Sequence, residues 1–220
     1  MTISRRTLLR QLAAAGLLSN IPLALRQALA AGNRPMQPGI YKASGRVTLN
    51  GAPAVAGMMV KPGDTLVTGA NSQAIYVIGQ DAYLQRDNST VNILGTTAMT
   101  GLRMLSGKLL SVFGKGAKQL QTSTATIGIR GTGCYIESEA ERAYFCLCYG
   151  TADLTPAAAP EKAQTIVTTH HEKPVWISRN DKAQPVTPAD VVNHSDAELE
   201  LLESLVGRLP PFAGSDVNRY

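Results

Sequence analysis

Short runs of β-branched or alternating apolar and polar residues fill the chain from residue 41 to residue 154, with Gly, Pro, Asn and Asp between them. No helical period of apolar positions lasts for more than one turn in this part of the sequence. We therefore predict a mainly β domain of many short antiparallel strands, arranged as a sandwich or a solenoid-like wrap. The predicted strands cover residues 45–49, 58–60, 65–68, 73–77, 83–86, 90–93, 101–105, 108–112, 118–121, 125–129, 134–137, 144–149 and 151–154.

Turn-forming sequences separate these strands. Asn50-Gly51 and Ser106-Gly107 are typical of tight turns. In Pro62-Gly63-Asp64 the proline sets its own φ, and the glycine readily takes a positive φ. We expect Asp64 to cap this turn rather than to act as an acid catalyst.

The pattern changes after residue 155, and we treat residues 156–220 as a C-terminal extension of a β domain that covers residues 31–155. The extension holds a proline-rich loop, two strand candidates at 165–169 and 174–177, and a helix over residues 195–207. Ser195 and Glu198 form a capping-box pattern at the start of this helix. Its apolar face is expected to pack on the β domain, and its glutamates are expected to face solvent.

Residues 1–30 have the features of an export signal. Arg5 and Arg6 precede a short, interrupted apolar stretch, and Ala28 and Ala30 place small residues at a cleavage site. The sequence from Ser4 to Arg10 resembles the twin-arginine (Tat) consensus, and that pathway exports proteins that have already folded. We therefore predict a periplasmic product; the alternative is a Sec signal that carries two arginines.

The charge of the chain resides largely in this leader. The full sequence of 220 residues has 21 basic and 16 acidic residues, a formal net charge of +5. Residues 1–30 hold four arginines and no acid, so 17 basic residues and a balance of +1 remain after cleavage. With 5% aromatic residues as well, the composition excludes a basic nucleic-acid binder. No later segment is long and apolar enough for a transmembrane span, and the length allows one substantial core or two small domains.

Two elements, Pro62-Gly63-Asp64-Thr65-Leu66 and Ile129-Arg130-Gly131-Thr132, occur in an order that resembles the FecR family of periplasmic domains. The resemblance implies a β-rich module for sensing or protein contacts, with a periplasmic or outer-membrane protein as partner. Complete regulators of this family resemble anti-sigma proteins with a cytoplasmic helical domain and one membrane span. We expect neither of these parts in this sequence, so it resembles a free-standing, exported form of the module. Further matching segments are residues 45–47, 50–54, 60–69, 71–74, 106–110 and 122–133.

The glycines around Arg130 have a structural interpretation of their own. Gly131 and Gly133 allow a bulge or a close backbone approach beside Thr132. Arg130 is interpreted as part of a structural salt bridge or as a donor to a carbonyl, with a buried anion or a partner contact as the alternative. No phosphate-binding loop, nucleophile elbow, His-Glu-x-x-His or paired-carboxylate motif is found, so we predict a protein without catalytic activity.

Cysteine and histidine form the most distinctive chemical feature of the sequence. If Ile136 lies opposite Tyr144 in a hairpin, then Cys134 lies opposite Cys146, and Cys148 points to the same face. Either His170 or His171 could complete a Cys3His set, which suits zinc, Cu(I) or an iron–sulfur cluster. A slip of one residue would move Cys134 to the other face. The candidate ligands are Cys134, Cys146, Cys148, His170 and His171.

Other interpretations of the same residues remain open. Cys134 and Cys146 could form a cross-strand disulfide that leaves Cys148 buried and free, or a thiol could have a redox role. His194 is interpreted as a surface residue beside the helix cap rather than as a ligand. The corresponding functions are a non-catalytic sensing or binding module, a periplasmic metal-binding or redox protein, and a structural scaffold of the envelope.

Overall fold

A computed structural model describes residue 35 and residues 37–95 and 100–214; the leader, residues 1–30, lies outside them. Helix α1 spans Asp196–Leu205, and a 3₁₀ turn spans Pro160–Lys162. The mainly β fold with one C-terminal helix is thereby confirmed for the described residues. None of their helices has the length and apolarity that crossing a membrane requires. The strands β1 to β14 are Gly39–Ser44, Val47–Leu49, Ala52–Pro53, Thr65–Thr68, Gln73–Ile78, Asp81–Gln85, Ser89–Gly95, Thr100–Val112, Ala117–Gln121, Ala125–Ser138, Arg142–Pro156, Gln164–Thr168, Val175–Ser178 and Val186–Pro188.

All fourteen strands belong to one hydrogen-bonded sheet that does not close on itself. Its longest path runs β14-β13-β11-β10-β9-β8-β7-β4-β2-β3. The strands pair antiparallel, as predicted, with one exception: β8 and β9 run parallel. The parallel pair arises because the second half of β8 leaves to pair with β6 and β10, and the chain then returns beside the start of β8.

Three strands are longer than the sequence pattern predicted. Residues 101–112, 125–137 and 144–154 were each divided into two short strands, but each lies within one continuous strand: β8, β10 and β11. Gly107, Gly131 and Gly150 lie within these strands with φ of 91°, 62° and 101°. A glycine with positive φ bends a strand without ending it, so the turn expected at Ser106-Gly107 is absent. The strand predicted at 58–60 is a loop.

The sheet buries apolar side chains on both faces. Along β5, Ala74 and Tyr76 point into one cluster, and Ile75 and Val77 point into the other. We call the second cluster the helix-side core, because Leu199, Leu201, Leu202 and Leu205 of α1 belong to it, and the first the far-side core. The alternation of strand side chains thus gives two cores, and α1 covers one of them.

Helix α1 begins at the predicted cap. Ser195 is the N-cap, and its capping box with Glu198 is formed. The expectation that the glutamates face solvent is wrong: Glu198, Glu200 and Glu203 are 7%, 2% and 3% exposed. Two of these glutamates have cationic partners, which reduce the cost of burying a carboxylate. Glu198 lies 2.8 Å from Arg86, and Glu203 lies 2.6 Å from Arg208.

The Pro62-Gly63-Asp64 turn is held by the side chain of its aspartate. Asp64 accepts hydrogen bonds from the backbone N–H of Lys61 at 2.9 Å and from Nδ2 of Asn50 at 2.8 Å. Gly63 has φ of 93°. In the Ile129-Arg130-Gly131-Thr132 element, the pairing of β10 with β11 shifts register between Arg130 and Gly133. Arg130 forms an exposed ion pair with Asp153 at 2.9 Å.

Candidate metal centre

The register of β10 and β11 decides which cysteines share a face. Ser138 pairs with Ala143, so Tyr135 lies opposite Cys146 and Cys134 lies opposite Leu147. The register expected from the sequence is wrong by one residue, because the hairpin loop holds an even rather than an odd number of residues. Cys134 consequently lies in the far-side core, while Cys146 and Cys148 lie in the helix-side core. Cys134 therefore cannot reach Cys146 through the sheet to form the disulfide considered above, and all three thiols are free.

Two cysteines and two histidines meet beneath α1. They are Cys146 and Cys148 from β11, His171 from the loop after β12, and His194 from the segment before α1. One candidate ligand atom from each lies within 4.8 Å of all the others, and all four residues are buried. This cluster contains three of the predicted ligands, excludes Cys134, and adds His194. We call it the Cys2His2 cluster.

A tight turn after β12 brings His171 beneath β11. The backbone N–H groups of Thr169 and His170 donate to the carboxylate of Glu172 at 2.8 and 2.9 Å. His171 then takes φ of 61°, a left-handed conformation that is uncommon outside glycine. Its own N–H donates to the carbonyl of Cys148 at 2.9 Å. The turn thus fixes the imidazole of His171 next to the two cysteines.

Two of the distances between ligand atoms are close to those around a tetrahedral zinc ion. Nδ1 of His171 lies 3.5 Å from Sγ of Cys146 and 3.1 Å from Nε2 of His194. Zinc bonds of about 2.3 Å to sulfur and about 2.0–2.1 Å to nitrogen place neighbouring S and N atoms about 3.6 Å apart and two N atoms about 3.3 Å apart. Small movements of the side chains would therefore suffice to coordinate one ion.

Both histidines are held from the side that faces away from the cluster. Nε2 of His171 lies 3.1 Å from Oδ1 of Asp196, and Nδ1 of His194 lies 2.7 Å from the carbonyl of Val192. Carboxylates and carbonyls only accept, so each imidazole donates there and turns its other nitrogen to the cluster. Histidine ligands of metals characteristically have such partners, which orient the ring and select the tautomer.

The charges of the cluster favour one thiolate. The hydrogen bond from the Cys148 thiol is the main cause that holds the pKa of Cys146 well below its usual range, against burial, and His171 and His194 lower it further. Burial raises the pKa of Cys148. Burial lowers the pKa of His171, but hydrogen bonds with Asp196 and Cys146 outweigh it and raise the pKa to about 9. A cation that binds here would meet a sulfur that already favours its anionic form.

His170, which was a predicted ligand, lies outside the Cys2His2 cluster. Its Nε2 atom lies 3.0 Å from both carboxylate oxygens of Asp196, so Asp196 joins His170 to His171. His194, which was expected at the surface, is 8% exposed and stacks on Tyr135 with ring centroids 4.7 Å apart. A signal for its burial exists in the sequence: it directly precedes the cap of a helix whose apolar face must cover the sheet.

Comparisons with known proteins leave the family open. No family model matches the sequence, and no curated protein matches it. Two crystal structures of candidate anti-sigma factors from Parabacteroides distasonis ATCC 8503 are similar in part. The first has 9% identity and a TM-score of 0.49 over 57% of this chain and 60% of that one. The second has 11% identity and a TM-score of 0.37 over 66% and 61%. This chain spans about 60% of the length of each, and with TM-scores below 0.5 neither likeness carries an argument about fold or function.

Proposed function

We propose that this chain is a non-catalytic binding module whose ligand is one zinc ion, held by Cys146, Cys148, His171 and His194. The observation that carries the proposal is the convergence of four buried ligand atoms within 4.8 Å of one another. Two thiolates and two imidazoles are a ligand set that zinc prefers. An iron–sulfur cluster needs room for several irons and bridging sulfides between its ligands, and ligand atoms this close enclose a single ion.

The closed ligand set supports a role without catalysis. Catalytic zinc sites have three protein ligands and keep the fourth position for water or substrate. The Cys2His2 cluster provides all four ligands from the protein, and its members are buried. A zinc ion bound there would lack an open position for substrate, so its effect on the protein would be structural or regulatory.

We place this module in the periplasm, as a sensing or binding protein of FecR type. The twin-arginine leader with Arg5 and Arg6 and the Pro62-Gly63-Asp64 and Arg130-Gly131-Thr132 elements support this part of the proposal. Export by the Tat pathway would carry the chain folded, with its ion already bound. The partner would be another periplasmic or outer-membrane protein. A scaffold of the envelope would instead co-purify stably with an envelope assembly.

The test is metal analysis of the protein purified from the periplasm after its native export. We expect about one zinc per chain, because the four ligands enclose one ion. Cys148→Ser should lose the metal, because it removes one ligand. Cys134→Ala is the matched control, since this equally buried cysteine lies in the far-side core and should leave the stoichiometry unchanged.

Four outcomes would contradict the proposal in whole or in part. Wild-type protein that contains no metal would exclude the site, and equal loss of zinc in Cys134→Ala and Cys148→Ser would show that the ligands are not those of the Cys2His2 cluster. Copper in place of zinc would leave the ligands but change the metal. Recovery of the protein in the cytoplasm would contradict the proposed export.

A further inference from the structure

The Cys2His2 cluster joins two separate parts of the fold. Cys146 and Cys148 lie on β11 and His171 is hydrogen bonded to β11, whereas His194 directly precedes Ser195, the N-cap of α1. A bound ion would therefore link the sheet to the start of the helix. We propose that the ion fastens α1 to the sheet, so that metal occupancy controls whether the C-terminal segment stays docked. This inference rests on the zinc site proposed above.

The start of the helix has other polar links to the same place. Asp196, its first residue, is 1% exposed and accepts hydrogen bonds from His170 and His171. His194 adds a further link, with Nε2 3.1 Å from Nδ1 of His171. Without an ion, these two imidazole nitrogens and the sulfur of Cys146 can share only hydrogen bonds. An ion would replace those bonds with coordinate bonds to three segments of the chain.

The end of the C-terminal segment also returns to the site. After α1 the chain turns at Gly207, which has φ of 72°, and Phe212 then packs against the loop that carries the two histidines. The ring of Phe212 lies 4.7 Å from that of His170 and 6.3 Å from that of His171. Both ends of the segment from His194 to Phe212 therefore contact the loop that carries His171, so we expect movement of this segment to ease the exit of a bound ion.

Docking and metal binding are consequently linked equilibria. All four ligands come together only when α1 is docked, and an undocked segment removes His194 from the set. The docked form must then bind the ion more tightly, and the ion must stabilise docking by the same factor. The leucines of α1 hold the helix in place by burial as well, so the ion changes the frequency of local opening rather than creating the helix.

Hydrogen exchange measured on full-length exported protein tests the inference. We expect backbone amides of Asp196–Leu205 to exchange about tenfold faster or more after removal of the metal with a chelator. Amides of Thr65–Thr68, a strand that pairs with β2 and β7 and whose Leu66 lies in the far-side core, should exchange at the same rate in both states. The Cys134→Ala variant, which keeps every ligand, should show the same contrast as wild type.

A reciprocal measurement uses two residues of the same segment. Phe212→Ala should raise the rate at which a chelator extracts the ion about tenfold or more, because a buried side chain over the site is lost. Leu209→Ala is the control, because Leu209 is 59% exposed and its loss should leave the extraction rate unchanged.

The failure of this inference can be told from the failure of the zinc site. If the protein holds one zinc per chain but the helix amides exchange equally with and without it, the coupling is wrong and the site stands. Equal extraction rates in wild type and Phe212→Ala would also overturn the coupling. If wild-type protein holds no metal, the zinc site is wrong and the inference fails with it.

Discussion

Asp196 is the residue on which the orientation of the candidate site depends most. A buried carboxylate is costly unless hydrogen bonds satisfy it, and Asp196 accepts from His170 at 3.0 Å and from His171 at 3.1 Å. Burial raises its pKa, but the hydrogen bonds from these two histidines outweigh it and lower the pKa. The carboxylate is therefore well placed to hold His171 with Nδ1 towards the cysteines.

Replacing this carboxylate by an amide should weaken metal binding. In Asp196→Asn we expect zinc affinity to fall about 10- to 100-fold, because the partner that orients His171 becomes neutral. Competition with a chromophoric chelator measures the affinity. Asp190→Asn is the control: Asp190 precedes the segment from His194 to Phe212 and is exposed, and its change should leave the affinity as in wild type. Equal affinities for all three proteins would show that Asp196 does not position a ligand.

The sequence allowed part of the site to be predicted at the level of single residues. Cys146 and Cys148 share a face in any strand, because their spacing of two residues matches the period of a strand. The side of Cys134 depends instead on whether the hairpin loop holds an odd or an even number of residues, which polar loop residues do not reveal. His194 lies outside any strand, and it is buried because the segment before α1 packs its ring against Tyr135 and His171.

At the scale of elements, an acidic helix packs on an apolar sheet, and one arginine is central to that contact. Arg86, at the end of β6, lies 2.8 Å from Glu198 and donates to the carbonyl of Asn193 at 2.7 Å. Its guanidinium also lies over the ring of Tyr135 at 5.8 Å. The same side chain thus contacts the capping box, the segment that carries His194, and the sheet.

Removal of Arg86 should destabilise the docked helix. We expect Arg86→Ala to lower the free energy of unfolding by about 2–3 kcal/mol, between the values for exposed and buried pairs, because Glu198 would remain buried without its cation. Urea denaturation measures the change. Arg103→Ala removes an exposed arginine from β8 and should cost less than about 0.5 kcal/mol. A similar small loss in Arg86→Ala would mean that the pair does not support docking.

The bend in β8 offers a second test at this scale. A Cβ at Gly107 would lie 2.4 Å from Cα of Ser89, and the residue has φ of 91°, so a side chain meets both a clash and backbone strain. Gly107→Ala should destabilise the protein by about 3 kcal/mol or more. Gly51→Ala, with φ of 82° and nothing within 4 Å of the added Cβ, should cost only about 1 kcal/mol. Thermal unfolding of both variants would check the difference, and equal losses would contradict the close approach at Ser89.

These bends explain why strand positions were easier to predict than strand lengths. The alternation along residues 101–112 correctly indicated strand on both sides of Gly107, but Ser106-Gly107 is also typical of a turn. Whether a glycine bends one strand or separates two depends on long-range pairing, here of the second half of β8 with β6 and β10. That information is not local, so sequence pattern alone cannot supply it.

At the scale of the whole molecule, the candidate site lies where the sheet, the loop after β12 and the C-terminal segment meet. An ion bound there would stabilise the folded form over the unfolded chain, which lacks the assembled site. Removal of zinc should lower the free energy of unfolding by about 4 kcal/mol when free metal exceeds the dissociation constant about 1,000-fold. Denaturation with and without chelator measures this difference. Cys148→Ser should show no effect of chelator, and an unchanged wild-type midpoint would contradict the site.

X-ray absorption at the zinc edge of the exported protein tests the central claim most directly, because it counts the ligand atoms around the ion. Two sulfurs at about 2.3 Å and two nitrogens at about 2.0–2.1 Å are the result that the Cys2His2 cluster predicts. A shell of oxygen and nitrogen only, three sulfurs, or protein without zinc would contradict it.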